Sequence, residues 1–319
     1  MSERRRALIV GCGKIAGGYN RSADDPMVLT HALAYIRHRE HDLVACVDPD
    51  EKVRQDFMRK WNVPCGYTNV GEALGAGGFD VASVCGPTGT HLAALSALRE
   101  AGLKAVFAEK PLDGDAVGAK KIGREFAQRN VPIAVNFTRR FDPSMQALKA
   151  AIAARRYGDL RSMVGWCGAD LMNLGSHMID LAIFLTGSVP KLRHVQKTGG
   201  GVSVLFDLSG APFHLLAAGD PASARFEAEL TFAQAIVTIE DNGLALRTRR
   251  IAPSPVFPGA ALPERGEWEP TGYGAAMLTA LDELIAWRPG DRLSSDIESA
   301  CESIALTEEV IRRAQEARA

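Results

Sequence analysis

Three short stretches carry residue types able to do chemistry together. Gly11-Cys12-Gly13-Lys14-Ile15-Ala16 follows the apolar run Ala7-Leu8-Ile9-Val10, where a strand turning into a helix can cradle a phosphate. Gly11 suits the tight turn, Gly13 lets the backbone approach a pyrophosphate, and Ala16 lets the helix pack closely on a sheet. Glu109-Lys110-Pro111 follows a second apolar run. Pro111 bars a continuing helix, so the turn presents Lys110, whose amine can stabilise charge on a reacting oxygen. Asn173, His177 and Asp180 stand at i, i+4 and i+7, the spacing of one helical face. An imidazole there can take a proton.

The elements that must position these groups alternate. Apolar runs at 7–10, 43–47, 80–85, 104–108 and 132–137 are separated by helical patterns at 31–39, 50–61, 90–101 and 115–129. Strands alternating with helices predict a doubly wound parallel sheet. Asp48 ends the second strand, where an acid can bind an adenosine ribose. Pro87 and Thr88 follow a strand beside the switch-point crevice. The segment 17–30 reads as an insertion before the first helix, with Tyr19 and His31 able to lie over a ligand.

Beyond about residue 140 the pattern changes. Helices are predicted at 143–155 and 171–186, then period-two strands at 202–208, 213–218, 225–232, 235–239 and 244–248. Asp241-Asn242-Gly243 is a hairpin turn signal, because Asn-Gly supplies positive φ. Residues 251–270 hold five prolines and read as an extended loop, before helices at 273–287 and 294–317. The fold class is therefore α/β: an N-terminal doubly wound Rossmann domain over 1–130, and a C-terminal α+β domain with a mostly antiparallel open sheet over 131–319.

Composition excludes several classes of function. With 37 basic and 38 acidic residues the net charge is -1, which gives no electrostatic case for a nucleic acid or an anionic membrane. No apolar run is long enough to span a bilayer, and Arg4-Arg5-Arg6 precedes too short a run for a signal peptide. The six cysteines contain no Cys-x-x-Cys, and three of them end or interrupt strand-like runs as small buried thiols do, while His38 and His41 read as solvated. The chain is expected to be cytoplasmic and free of metal.

Taken together, Gly11–Ala16, Gly86-Pro87-Thr88-Gly89-Thr90-His91, Glu109-Lys110-Pro111, Arg140-Phe141-Asp142-Pro143 and Asn173–Asp180 resemble the Gfo/Idh/MocA family of oxidoreductases. The resemblance implies a nicotinamide cofactor held by Gly11, Gly13, Lys14, Ile15, Ala16, Asp48, Gly86, Pro87, Thr88, His91, Glu109 and Lys110. It implies that Lys110 and His177 are catalytic and that the second domain closes over nicotinamide and substrate. The expected reaction moves a hydride between a secondary alcohol of a sugar, polyol or nucleotide sugar and NAD. Asp48, followed by Pro49 and Asp50 with no adjacent arginine, disfavours NADP. The expected assembly is a homodimer or homotetramer through the C-terminal sheet.

Two departures bear on the chemistry. Asn173 stands where the family usually has aspartate; it can orient a substrate hydroxyl but cannot stabilise an imidazolium by charge. Asp170, one turn earlier, is a candidate displaced partner for His177. The stretch between Gly158 and Asn173 is also short, which suggests loss of part of a strand and of a pocket loop. These departures leave an alternative: a non-catalytic NAD(H)-binding sensor or accessory protein of the same fold.

Overall fold

The structure, a computed structural model, describes residues 4–112, 116–219 and 224–317. The chain divides into two units, Met1–Phe141 with Gly274–Cys301 and Asp142–Tyr273 with Glu302–Ala319. A cut after residue 130 would separate β6 from its sheet, and no single cut can express the return of 274–301 to the first unit.

In the first unit, β1 (Arg5–Val10), β2 (His41–Val47), β3 (Cys65–Tyr67), β4 (Val81–Val84), β5 (Ala105–Ala108) and β6 (Ile133–Val135) form a parallel sheet in the order β3-β2-β1-β4-β5-β6. Strand order reverses between β1 and β4, which opens a crevice at their carboxyl ends. The helices between strands are α1 (His31–Arg37), α2 (Glu51–Trp61), α3 (Val70–Ala76), α4 (His91–Leu98) and α5 (Ala116–Ala127). Thr30, Asp50 and Asn69 cap α1, α2 and α3 by accepting from backbone N–H groups one turn on. The short β3 and α3 escaped the periodicity reading because neither spans two full turns or repeats.

His38 and His41 correct an expectation, since neither is solvated. They are only 5% and 1% exposed. Their Nδ1 atoms lie 3.0 Å apart, and His38 Nε2 is 3.1 Å from Asp282 Oδ1. Burial first, then the neighbouring His38 and the Arg5 and Arg4 charges, push His41 down to about 3. A histidine held below its unfolded value takes up its proton more readily when unfolded. Its contribution is therefore complete above about pH 6.5 and is lost as pH falls towards 3. Between pH 6.5 and 5, unfolding free energy is expected to drop by about 1–2 kcal/mol through this group. Urea titrations of the wild type and His41→Gln check this; a drop of equal size in both would remove His41 as its source.

In the second unit, α6 (Pro143–Ala153) and α7 (Ser176–Thr186) pack on a sheet built from β7 (Leu160–Cys167), β8 (Lys191–Thr198), β9 (Gly201–Leu208), β10 (Ala211–Ala218), β11 (Phe226–Phe232), β12 (Ala235–Glu240), β13 (Ala245–Pro253), β14 (Ala261–Pro263) and β15 (Trp268–Pro270). The order is β14-β13-β12-β11-β7-β10-β9-β8, with β15 also on β13. β7 and β10 pair in parallel and the remaining neighbours antiparallel. Alternate residues such as Met163, Phe213, Leu230 and Val237 face the helices, leaving the other face half-exposed. Asp241 and Asn242 both adopt positive φ in the β12–β13 turn, as the turn signal predicts.

The short stretch between Gly158 and Asn173 still holds a central strand. β7 is a full eight-residue strand between β11 and β10. Its apolar signal is weak because Gly165 takes an inward position, where a Cβ would lie 2.6 Å from Met178 Cγ on α7. The predicted loop at 251–270 likewise contains β14, β15 and the end of β13, short edge pieces that end at prolines. Two further helices, α8 (Ala276–Ala286) and α9 (Ile297–Glu316), complete the described chain; Ala276 to Leu284 of α8 pack in the first core, and Leu306 and Val310 of α9 in the second.

Candidate active site

The glycine turn sits at the carboxyl end of β1. Gly11 has φ +92°, and a Cβ there would lie 2.5 Å from the Gly86 nitrogen and 2.8 Å from the Cys85 carbonyl carbon. Only glycine lets the turns after β1 and β4 approach so closely. At Gly13 a Cβ would meet nothing within 4 Å. That exposed backbone leaves room for a phosphate, while Ala16, fully buried, packs the following segment on the core. Lys14–Gly18 forms a wide turn in which Tyr19 N–H donates to the Lys14 carbonyl five residues back. Lys14 is exposed and Ile15 half-buried on the core.

The insertion is a folded loop. Asn20 is buried; its Nδ2 donates to the Met27 carbonyl at 2.7 Å, and its Oδ1 accepts from Leu29 N–H and Thr30 Oγ1. Lys60 Nζ donates to the Gly17 carbonyl at 2.9 Å. Tyr19 is left exposed, but His31 lies fully buried inside the unit and cannot cover a ligand.

Asp48 closes β2. One carboxylate oxygen accepts from Cys12 N–H at 2.9 Å and the other from Asp50 N–H at 3.0 Å. These bonds fix its plane while leaving lone pairs for ribose hydroxyls. Arg54, one turn along α2, is buried and donates Nη1 to the Asp48 carbonyl oxygen. That bond engages one guanidinium nitrogen with the backbone beside the Asp48 carboxylate.

After β4, Gly86 is half-buried, Pro87 exposed and Thr88 half-buried. His91 departs from the expected role of touching the cofactor. It is 1% exposed, and its Nε2 and Nδ1 each lie 2.7 Å from a backbone carbonyl oxygen, of Gly86 and Pro111 respectively. With both nitrogens engaged, it ties the turn after β4 to the turn after β5. Lys110 is half-buried in that second turn, and Glu109 beside it is buried. Beneath them, Glu109 Oε1 receives His31 Nε2 and Asn136 Nδ2, a cluster that no sequence spacing announces.

In the second unit, Asn173 lies within a second wide turn, Leu171–Gly175, that leads into α7. The expected single α-helical face is corrected here: Gly175 and Ser176 N–H groups donate five residues back, so the i, i+4 step from Asn173 to His177 crosses a change of pitch. Asn173 is exposed and His177 half-buried. Asp170 Oδ1 accepts from Asn173 N–H at 2.9 Å, so this carboxylate caps the turn. Asp180 is buried, and its Oδ1 accepts from Ser303 Oγ of α9 at 2.7 Å, which gives it a packing role.

Residues 5–137 match the model of an oxidoreductase family with an NAD-binding Rossmann fold, Gfo/Idh/MocA. This part of the chain is similar to that family. The inositol 2-dehydrogenase of Rhizobium meliloti (strain 1021) is 26% identical over 174 residues, covering 50% of this chain and 52% of the relative. The myo-inositol dehydrogenase Hyg17 of Streptomyces leeuwenhoekii is 33% identical over 150 residues, covering 47% and 42%. The chain thus spans about half the length of the curated relatives it matches. A solved oxidoreductase from Agrobacterium radiobacter, in complex with NAD+, L-tartaric acid and magnesium, shares the fold over 99% of this chain and 97% of its own, with a TM-score of 0.77 at 16% identity. The matched residues include the glycine turn and all six strands of the first sheet. No helix among the described residues is long and apolar enough to cross a membrane.

Proposed function

We propose that the protein is an NAD-dependent oxidoreductase transferring a hydride between a secondary alcohol of a sugar, polyol or nucleotide sugar and nicotinamide. The observation that carries this reading is the gathering of Gly13, Asp48 and Glu109-Lys110-Pro111 at the carboxyl ends of β1, β2 and β5, around the reversal of strand order. The residues fit the cofactor: Gly13 offers open backbone, and Asp48 an oriented carboxylate. Bound nicotinamide supplies the hydride acceptor. Lys110 donates a hydrogen bond to the reacting oxygen and stabilises its developing charge, and His177 removes the hydroxyl proton. Asn173, exposed and uncharged, orients the substrate hydroxyl. Pro87 and Thr88 line the cofactor crevice with Gly86.

Screening polyols, sugars and nucleotide sugars for NADH formation tests the reading. Absence of turnover across all three classes, with NADH still bound, would favour the sensor or accessory reading. The capping role of Asp170 supports that second reading, since this carboxylate is engaged at the turn.

The same geometry favours NAD over NADP. A 2′-phosphate would meet the fixed Asp48 carboxylate, and the residues that follow it, Pro49 and Asp50, bring no compensating positive charge. NADH is expected to bind at least about tenfold more tightly than NADPH, a difference of about 1.4 kcal/mol. Calorimetric titrations giving equal affinities would overturn the preference. We also assign a homodimer or homotetramer through the half-exposed sheet face, and a cytoplasmic location. Light scattering showing a monomer would remove the assembly.

A further inference from the structure

Beneath the turn that carries Lys110 runs a line of buried polar side chains that the proposed chemistry does not use. His31 and Tyr35 on α1 and Ser83 within β4 are fully buried. Tyr35 Oη is 2.8 Å from Ser83 Oγ, Ser83 Oγ is 2.8 Å from His31 Nδ1, and His31 Nε2 is 2.9 Å from Glu109 Oε1. Asn136, just past β6, donates from Nδ2 to the same oxygen at 2.6 Å and accepts at Oδ1 from Thr138 Oγ1. The Phe107 ring lies 4.5 Å from the imidazole, centre to centre, and walls it in.

One placement of protons satisfies the line from end to end. Tyr35 donates to Ser83, Ser83 donates to His31 Nδ1, and His31 donates from Nε2 to Glu109. The other tautomer would set a lone pair of Nε2 against the carboxylate in a buried site, where an unmet polar group is costly. Glu109 Oε1 therefore holds two donors. Oε2 takes no part in these bonds and is not among the buried side-chain atoms left without a partner, and 11% of the side chain is open. A carboxylate pinned by one oxygen and open at the other suits an N–H donor arriving from the crevice.

We propose that His31 is a positioning residue: with Asn136 it pins Glu109 Oε1 so that Oε2 accepts an N–H of the nicotinamide carboxamide. This rests on the reading of the β5 end as the nicotinamide site. It extends that reading to side chains inside the sheet that never touch the ligand. Tyr35 and Ser83 serve by fixing which imidazole nitrogen carries the proton.

Calorimetric titration with NADH, and with ADP-ribose, which lacks nicotinamide, tests the proposal on His31→Gln, His31→Asn and Glu109→Gln. A glutamine amide nitrogen reaches where Nε2 stood, whereas an asparagine reaches only the Nδ1 position. His31→Gln should stay within about threefold of wild-type NADH affinity, and His31→Asn should lose about tenfold, or about 1.4 kcal/mol. ADP-ribose affinity should stay unchanged in both. Added to Glu109→Gln, the asparagine substitution should cost little more, because it acts through the lost carboxylate. Equal losses for Gln and Asn, a loss of ADP-ribose binding, or a full penalty in the Glu109→Gln background would overturn the role. If His31→Asn does not fold, nitrogen NMR of ¹⁵N-histidine-labelled wild type decides: a proton on Nε2 of His31 supports the line, and one on Nδ1 overturns it. A wild type that binds NADH no more tightly than ADP-ribose would instead count against the nicotinamide site itself, while the tautomer still reports on His31.

Discussion

Lys110→Ala is expected to lower kcat by about 100-fold or more while changing NADH affinity far less. The magnitude is the usual scale for a positioned acid–base or charge-stabilising group. Its basis is the location of Lys110, half-buried in the turn that ends β5 and is tied through Pro111 to His91. Steady-state kinetics on a substrate found by screening, with fluorescence titration of NADH, separates the two effects. Retention of wild-type turnover would remove Lys110 from the mechanism. Loss of cofactor binding with little change in saturated turnover would reassign it to the nucleotide site.

The two glycines of the fingerprint are expected to fail in opposite ways. Gly11→Ala places a Cβ 2.5 Å from backbone that cannot move aside and demands φ +92° of an alanine. A loss of about 3 kcal/mol or more in unfolding free energy follows from strain and clash together. Gly13→Ala meets open space, so stability should hold within about 0.5 kcal/mol. NADH affinity should nevertheless fall by about tenfold or more, because the methyl group occupies the approach of the pyrophosphate. Urea unfolding and calorimetry on both variants check the contrast. A Gly13→Ala protein that binds NADH normally would place the phosphates elsewhere.

Legibility in the sequence followed from how local each signal is. The alternation that built the first sheet, the glycine turn and Asp48 at the end of β2 are local, and each stands where the pattern puts it. The Asp241-Asn242-Gly243 turn was legible for the same reason. β7 was not, because Gly165 leaves a gap in its inward pattern that only the approach of Met178 explains. The edge strand β8, Lys-Leu-Arg-His-Val-Gln-Lys-Thr, reads as polar surface, as edge strands that avoid aggregation do. His38 meets His41 on one side and Asp282, far along the chain, on the other, and no spacing near the histidines announces it. The i, i+4 reading of Asn173 and His177 assumed one helical pitch, which the wide turn at 171–175 breaks. His31, Ser83 and Glu109 belong to α1, β4 and the end of β5, so their meeting depends on the order of strands in the sheet.

The most direct test of hydride transfer follows an isotope. A substrate identified by screening is prepared with deuterium on its carbinol carbon and incubated with NAD+ and the wild-type enzyme. The expected product is NADH carrying that deuterium at C4 of the nicotinamide, formed about 100-fold more slowly by Lys110→Ala. Reduced cofactor without deuterium, or cofactor that binds but is never reduced by any of the three substrate classes, would contradict an oxidoreductase acting on secondary alcohols.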